Sequence, residues 1–262
     1  MIEKKIEEIN SLKDQVSALS VNKDWDDTFL EKVKVDFTYN SNKIEGVTLT
    51  YGQTIKLLKD FVTPQNAIPG ELLDLINHQR VLDTVFKNYR AESFSVDNMK
   101  ALHKELMKDL AQWTDDSLYS PGRYKIFENV TVRGSGKIHS YLLPADVPMA
   151  MDNLIHEINR RLSNIDEQDI EKHPLTIATF FHQQFLNKIH PFNDGNGRIG
   201  RLFTNLILLK KGYPPIFIKD VDRKEYLNRF EQSDSDISSM LDFLADRLIE
   251  SLRLKLVFIK EN

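Results

Sequence analysis

One short segment of the chain concentrates residue types that can bind and transfer phosphate groups. Residues 190–201 read His-Pro-Phe-Asn-Asp-Gly-Asn-Gly-Arg-Ile-Gly-Arg. Arg198 and Arg201 are three residues apart, so on a helix they share one face and reach the same ligand. Asp194 is a hard oxygen ligand of the kind that holds Mg²⁺ together with substrate phosphates. His190 carries an imidazole that can accept a proton near neutral pH.

A glycine-rich turn in the same segment suits an anion. Gly195 and Gly197 lie at the predicted start of a helix, where backbone N–H groups are unpaired and the helix dipole is positive. Without side chains, glycines let an anion approach the backbone closely. A simple tight turn would also use these residues, and a calcium loop would need a later Glu where the chain has Asn205 and Leu206. Because base, carboxylate, glycine turn and paired arginines occur together, the phosphate site is favoured.

Two helices are predicted to position this turn. The upstream helix covers 174–189 and carries apolar Phe180, Phe181, Phe185 and Ile189. Pro191 stops it, so His190 lies at a helix end. The downstream helix, 197–211, is apolar nearly all round and must be buried.

Most of the remaining chain also has helical periodicity, with one exception. Residues 130–132 and 138–142 alternate on either side of a Gly-Ser-Gly turn, which predicts a β-hairpin. The predicted fold class is all-α with one short β-hairpin, and no linker or repeat divides the chain. The other predicted helices cover 2–19, 28–45, 50–61, 71–88, 95–110, 148–162, 224–231 and 237–258.

Composition excludes several functional classes. The 262 residues carry 35 Lys and Arg against 39 Asp and Glu, and a net charge of −4 argues against a nucleic-acid partner. The chain has no cysteine, which excludes disulfides, thiol catalysis and cysteine zinc sites. No apolar stretch reaches the roughly 20 residues of a membrane span. We therefore expect a cytoplasmic protein with no membrane partner.

Residues 190–201 match the Fic signature, His-Pro-Phe-x-(Asp/Glu)-Gly-Asn-(Gly/Lys)-Arg-x-x-Arg, at every specified position. The chain resembles the Fic family over most of residues 30–250, and its hairpin region, 122–142, lies where Fic proteins carry the flap that aligns a target. The resemblance implies a single Fic-type helical bundle over 1–262, with N-terminal helices in 1–50 and a Fic core in 51–262. Members mostly transfer AMP from ATP to a protein hydroxyl and release pyrophosphate.

The resemblance also implies a role for each matching residue. His190 would deprotonate the target hydroxyl, and Asp194 would hold Mg²⁺ against the α- and β-phosphates. Asn205 and Tyr226 fall where related proteins line the adenine pocket. The positions of the family's ATP phosphate site are Gly195, Asn196, Gly197, Arg198 and Arg201.

A second, shorter motif lies near the N-terminus. Residues 41–46, Ser-Asn-Lys-Ile-Glu-Gly, match the Fic inhibitory pattern (Ser/Thr)-x-x-x-Glu-(Gly/Asn) at Ser41, Glu45 and Gly46. A carboxylate at a helix C-terminus opposes the dipole at a cost of about 0.3–1 kcal/mol. The resemblance implies that Glu45 pairs with Arg201 and blocks the γ-phosphate position. The inhibitory helix, about 28–45, would then belong to the same chain.

Alternatives of two classes stay open. One is a Fic enzyme that removes AMP or transfers another nucleotidyl or phosphate group. The other is a non-catalytic nucleotide-binding module, against which the intact His190, Asp194 and Arg198 argue. The expected partners are ATP, Mg²⁺ and a target protein with a Ser, Thr or Tyr hydroxyl. Self-modification and assembly into a homo-oligomer are left open by the sequence.

Overall fold

A computed structural model of the chain describes residues 2–20, 27–113 and 119–261. Within these ranges the chain forms ten α-helices and one antiparallel hairpin, which confirms the predicted all-α class with a single short hairpin. The helices are α1 (Ile2–Leu19), α2 (Asp27–Ile44), α3 (Tyr51–Asp60), α4 (Pro69–Asn88), α5 (Val96–Leu106), α6 (Val147–Leu162), α7 (Pro174–Gln183), α8 (Asn196–Lys210), α9 (Arg223–Gln232) and α10 (Ser238–Glu261). The strands are β1 (Val130–Val132) and β2 (Ile138–Ser140), paired so that Thr131 lies opposite His139.

Helix α8 is the centre of the fold. Every side chain from Arg198 to Leu209 is buried, and α8 packs against α7, α4, α2 and α5. Full burial of one such leucine or phenylalanine stabilises the fold by roughly 1.5–3 kcal/mol. The strongly buried helix predicted from the apolar run is therefore present, and its N-terminus is held in a fixed place by its neighbours.

The two helix ends that differ most from the sequence prediction are those of α5 and α7. The helix predicted to reach residue 110 ends at Leu106, because the Asn77 amide of α4 donates to the carbonyls of Leu106 and Lys108 (3.2 and 2.7 Å). The helix predicted over 174–189 is α-helical only to Gln183. Residues 184–189 continue it as a π-helical turn, a geometry that often occurs at functional sites.

The N-terminal helices bring distant residues to the core. Helix α1 packs along α10, while α2 packs on α4 and contacts α8. A separate small cluster lies under α3 and α4 and consists of Val47, Leu49, Leu57, Leu58 and Leu75. In the described ranges, none of the helices combines the length and the apolar character that a membrane crossing requires.

Candidate functional site

The turn before α8 is built to present backbone N–H groups. Gly195 caps the helix with φ +74°, and the Ile199 N–H donates to its carbonyl (3.1 Å), so the N–H groups of residues 196–198 precede the helical ladder. The Asn196 side chain is buried and spans the turn, accepting from the Phe192 N–H (2.9 Å) and donating to the Phe192 carbonyl (2.8 Å). Asn196 therefore braces the turn with its side chain, and its backbone N–H is one of those at the start of the helix.

Arg201 is bound by the N-terminal motif. Its guanidinium donates from Nε to Ser41 Oγ (2.8 Å) and from one terminal nitrogen to the Ser41 carbonyl (3.0 Å) and to Glu45 Oε1 (2.6 Å). Helix α2 ends at Ile44, and Gly46, just after Glu45, has a φ of +102°. The structure thus brings Ser41 and Glu45 into contact with Arg201 across more than 150 positions of sequence.

The Glu45 carboxylate lies against the first turn of α8. A methyl group placed on Gly197 would be 2.1 Å from Glu45 Oε1, so the carboxylate rests on the glycine backbone itself. This is the location that the sequence predicts for an anion, where the helix dipole and the N–H groups favour negative charge. Glu45 therefore occupies the space in which a phosphate bound to Arg201 would lie.

The partner of Arg198 was not predicted from the sequence. Arg198 is buried, donates to the Asp74 carboxylate of α4, and lies 3.7 Å from Asp194 Oδ1. Burial raises the pKa of Asp74 above its ordinary value, although the Arg198 charge acts in the opposite direction. The available sequence indication was a carboxylate between Leu73 and Leu75 in an otherwise apolar stretch.

We expect Asp74→Asn to lower the free energy of unfolding by roughly 1.5–3 kcal/mol, because a hydrogen bond to a charged group contributes about that much. Urea denaturation of the purified protein measures this. Glu225→Gln is the matched control, since it removes the carboxylate of the α9 pair with Arg229, a surface pair for which a few tenths of a kcal/mol is typical. Equal stabilities of the two variants would show that the Asp74–Arg198 pair stabilises the fold no more than a surface ion pair does.

His190 ends the π-helical turn in a left-handed conformation, with φ +48°. Its Nδ1 lies 3.0 Å from the Leu186 carbonyl, which can only accept, so Nδ1 carries the proton and Nε2 carries the lone pair. The imidazole stacks on Tyr141 at a centroid distance of 4.0 Å. Burial lowers the pKa of His190 to about 4, and the nearby Lys125 charge acts in the same direction. At pH 7 the ring is neutral and its Nε2 can accept a proton.

We expect the acid limb of the pH profile for kcat/KM, which reports the free enzyme, to have its midpoint well below 6.5. A lowered pKa keeps His190 unprotonated as pH falls, and activity is lost only as pH passes the lowered value. Lys125→Met removes the nearby charge at similar volume and should move the midpoint upward. A midpoint at or above pH 6.5 that does not change in the Lys125→Met variant would contradict this assignment of the base.

The hairpin region, residues 122–142, lies along the end of the π-helical turn beside His190. The Lys125 N–H donates to the Pro191 carbonyl (2.8 Å), and the Leu142 N–H donates to the Lys188 carbonyl (2.9 Å). The Lys125 ammonium also donates to the Ile189 carbonyl (3.2 Å). These bonds hold residues 122–142 beside His190.

Asp194 is suited to a metal ion that is shared with a substrate. Its side chain is about half exposed (53%), and it accepts the Gly195 N–H at 2.5 Å. In the described ranges there is no cluster of three or more His, Asp or Glu side chains able to hold a metal alone. A single carboxylate beside phosphate-binding groups fits Mg²⁺, which typically takes one or two carboxylates plus substrate phosphates.

Asn205 of α8 and Tyr226 of α9 are both buried. Asn205 is buried, donates to the Arg201 and Ile216 carbonyls (2.9 Å each), and accepts the Ile216 N–H (2.6 Å). The Tyr226 hydroxyl lies 2.8 Å from His182 Nε2, and burial raises its pKa to about 12. Both polar groups are engaged within the fold, and their assignment to an adenine pocket stays a prediction.

Comparison with known proteins points to one family. The family model described as Fic/DOC matches residues 93–208, which include the whole 190–201 segment. The protein adenylyltransferase Fic of Nematostella vectensis is 28% identical over 216 residues, covering 79% of this chain and 45% of the relative. The protein of the same name from Drosophila melanogaster is 26% identical over 260 residues, covering 97% of this chain and 48% of the relative. The chain thus spans less than half the length of these curated relatives.

Solved structures agree with this. A Fic domain-containing signaling protein from Bacteroides thetaiotaomicron superposes with a TM-score of 0.83 at 27% identity, covering 98% of this chain and 97% of that one. Fic-1 from C. elegans, residues 134–508, shares the fold with a TM-score of 0.77 at 22% identity, covering 99% of this chain and 73% of that one. The matched family segment, the shared fold and the complete signature at residues 190–201 make residues 93–208 of this chain similar to the Fic/DOC family.

Proposed function

We propose that the chain transfers AMP from ATP to a Ser, Thr or Tyr hydroxyl of a target protein and releases pyrophosphate. The observation that carries the proposal is the juxtaposition of an imidazole with a free Nε2 lone pair and two arginines at the N-terminus of a buried helix. The relatives from Nematostella vectensis and Drosophila melanogaster are protein adenylyltransferases by name, which supports the same reaction. The chain spans less than half the length of those relatives, so their activity alone does not establish the activity of this chain.

Residues of this chain can accept the proton and stabilise the charge that the proposed reaction produces. The target hydroxyl loses its proton to His190 Nε2 as its oxygen forms a bond to the α-phosphorus of ATP. The bond from the α-phosphorus to the bridging oxygen breaks, and pyrophosphate leaves with the electron pair. The first-turn N–H groups of α8 and the Arg198 guanidinium stabilise the negative charge, which is the main requirement in phosphoryl-type transfer.

We propose Mg²⁺ as the cofactor of this reaction. Asp194 would hold it together with the α- and β-phosphates, and when bound it neutralises phosphate charge and orients the nucleotide. The roles of Gly195, Asn196, Gly197 and Arg198 in phosphate binding belong to the same proposal.

We also propose that the enzyme inhibits itself. Arg201 would grip the γ-phosphate of a productively bound ATP, but in the structure its guanidinium is bound by Ser41 and Glu45. ATP can then bind through its other groups, with the α-phosphate misplaced. The helix that carries Glu45, α2, would be the inhibitory helix, and residues 122–142 would be the flap.

The test uses ATP labelled separately at the α- and γ-phosphates, incubated with the Glu45→Gly variant and a cell lysate. Transfer of the α label but not the γ label to protein supports AMP transfer. Transfer of the γ label would instead indicate a kinase-like reaction, and transfer of neither label would reject the proposal. Incubation of an AMP-modified target with the wild-type chain tests AMP removal as the alternative activity. Cell fractionation tests the expected cytoplasmic location.

A further inference from the structure

A buried histidine outside the signature connects the two parts of the site. His103 lies on α5, is 2% exposed, and has no role in the proposed reaction. Its Nδ1 is 2.9 Å from the Gly122 backbone nitrogen, and its Nε2 is 3.0 Å from the Asp194 carbonyl oxygen. The ring also stacks on Phe192 at a centroid distance of 3.8 Å and an interplanar angle of 7°. One imidazole therefore contacts the hairpin region at its start and the phosphate-binding turn at two points.

The two hydrogen bonds determine the tautomer of His103. A backbone N–H can only donate, so Nδ1 must present its lone pair to Gly122. A carbonyl can only accept, so Nε2 must carry the proton toward Asp194. The ring is consequently the neutral Nε2–H form, and both partners are backbone groups that would be left without these bonds if the ring were replaced by an apolar one.

Helix α5 supports both turns at close range. Gly122 and Gly195 each have positive φ, +72° and +74°. A methyl group on Gly122 would lie 2.9 Å from the Lys100 carbonyl oxygen, and one on Gly195 would lie 3.2 Å from His103 Nε2. Only glycine fits at either place without strain. The two turns therefore rest directly on α5, with His103 between them.

We propose that His103 is a positioning residue that sets the distance between the hairpin region and the phosphate-binding turn. It acts through the Gly122 N–H on one side and the Asp194 carbonyl and Phe192 ring on the other. The effect would be to align a hydroxyl held by the hairpin with the α-phosphate held at α8. This inference rests on the proposed AMP transfer, and His103 itself contacts neither substrate.

Three substitutions separate the contacts of His103. His103→Phe keeps the stacked ring and loses both hydrogen bonds. His103→Asn places an oxygen near the Nδ1 position and retains the bond from Gly122, while His103→Gln places an amide nitrogen near the Nε2 position and retains the bond to Asp194. Met99→Ala is the matched control, because it removes a buried α5 side chain without touching either bond. Each is made in the Glu45→Gly chain.

We expect His103→Phe to lower kcat for transfer to the target by roughly 10²-fold, the effect of misplacing reacting groups by about 1 Å. ATP affinity, measured by calorimetry, should change little because both arginines remain. Hydrogen–deuterium exchange of the Gly122 amide should accelerate in His103→Phe and His103→Gln but not in His103→Asn or Met99→Ala. Met99→Ala should lower thermal stability without this selective effect on kcat.

A second readout does not depend on activity. Nitrogen-15 NMR of the wild-type chain, with His103 assigned by its absence in His103→Phe, should show a proton on Nε2 and none on Nδ1. An Nδ1–H or doubly protonated ring at pH 7 would overturn the inference, as would kcat losses that follow thermal stability across all four variants. If the Glu45→Gly chain transfers no AMP at all, the proposed function fails, while the tautomer and the exchange pattern still decide whether His103 links the two turns.

Discussion

Glu45→Gly is expected to raise the rate of AMP transfer by about 10²-fold, including transfer to the protein's own residues. The wild-type Glu45 carboxylate binds Arg201 at 2.6 Å and lies on the Gly197 backbone. In the proposed reaction a γ-phosphate would need the same guanidinium and the same space, so ATP would be held with its α-phosphate out of line, and about 1 Å of misplacement costs roughly 10²-fold in rate. ATP affinity should change much less. Initial rates with labelled ATP at saturation measure the effect.

Three variants make the test of self-inhibition specific. Glu45→Gln keeps the length of the side chain without its charge, so an intermediate rate is expected. Arg201→Ala should not raise the rate, because the guanidinium that pairs with Glu45 is also the one proposed to bind the γ-phosphate. Glu31→Gln removes an exposed carboxylate elsewhere on α2 and should leave the rate unchanged. Equal rates for the wild type and Glu45→Gly would leave the Glu45–Arg201 pair as a purely structural contact.

The second large effect is expected for His190→Ala, which should lower transfer by about 10²–10⁴-fold, the typical contribution of a general base. The structure is consistent with His190 as the base, because Nδ1 is bound to the Leu186 carbonyl and the Nε2 lone pair can take the proton. The measurement is single-turnover transfer of labelled AMP in the Glu45→Gly background, so that inhibition does not mask the loss.

The control for the base is His156→Ala, which removes an exposed imidazole of α6 and should retain full activity. ATP affinity of the His190→Ala variant should stay close to that of the parent, since the arginines and the α8 N-terminus are intact. Near-parental transfer by His190→Ala would show that another group takes the proton.

Much of the fold could be predicted from local patterns. The apolar run from Leu202 to Leu209 determines that α8 is buried, because no face of that helix is polar. Alternation around Gly134-Ser135-Gly136 determines the hairpin, and α3 begins after Thr50, which forms a capping box with Gln53. These features depend on neighbours along the chain, so periodicity and turn preferences are sufficient to find them.

Helix ends and the π-helical turn could not be predicted in this way. Helix α5 ends at Leu106 because the Asn77 amide of α4 binds its terminal carbonyls. Residues 184–189 leave the α-helical pattern, although their composition suits an ordinary helix. For α5 the competing interaction comes from a part of the chain that is distant in sequence.

For the site, the sequence by itself determined the 190–201 segment and the Ser41–Gly46 motif, because both are contiguous and their residue types limit the chemistry. The family resemblance also implied the Glu45–Arg201 pair, but only the tertiary structure decided the other groups that these residues meet. Asp74 binds Arg198, and His103 bridges Gly122 and Asp194, and neither residue belongs to a motif. Their roles follow from the packing of α4 and α5 against the turn before α8, since a hydrogen bond between distant residues depends on the angle and distance at which their helices meet.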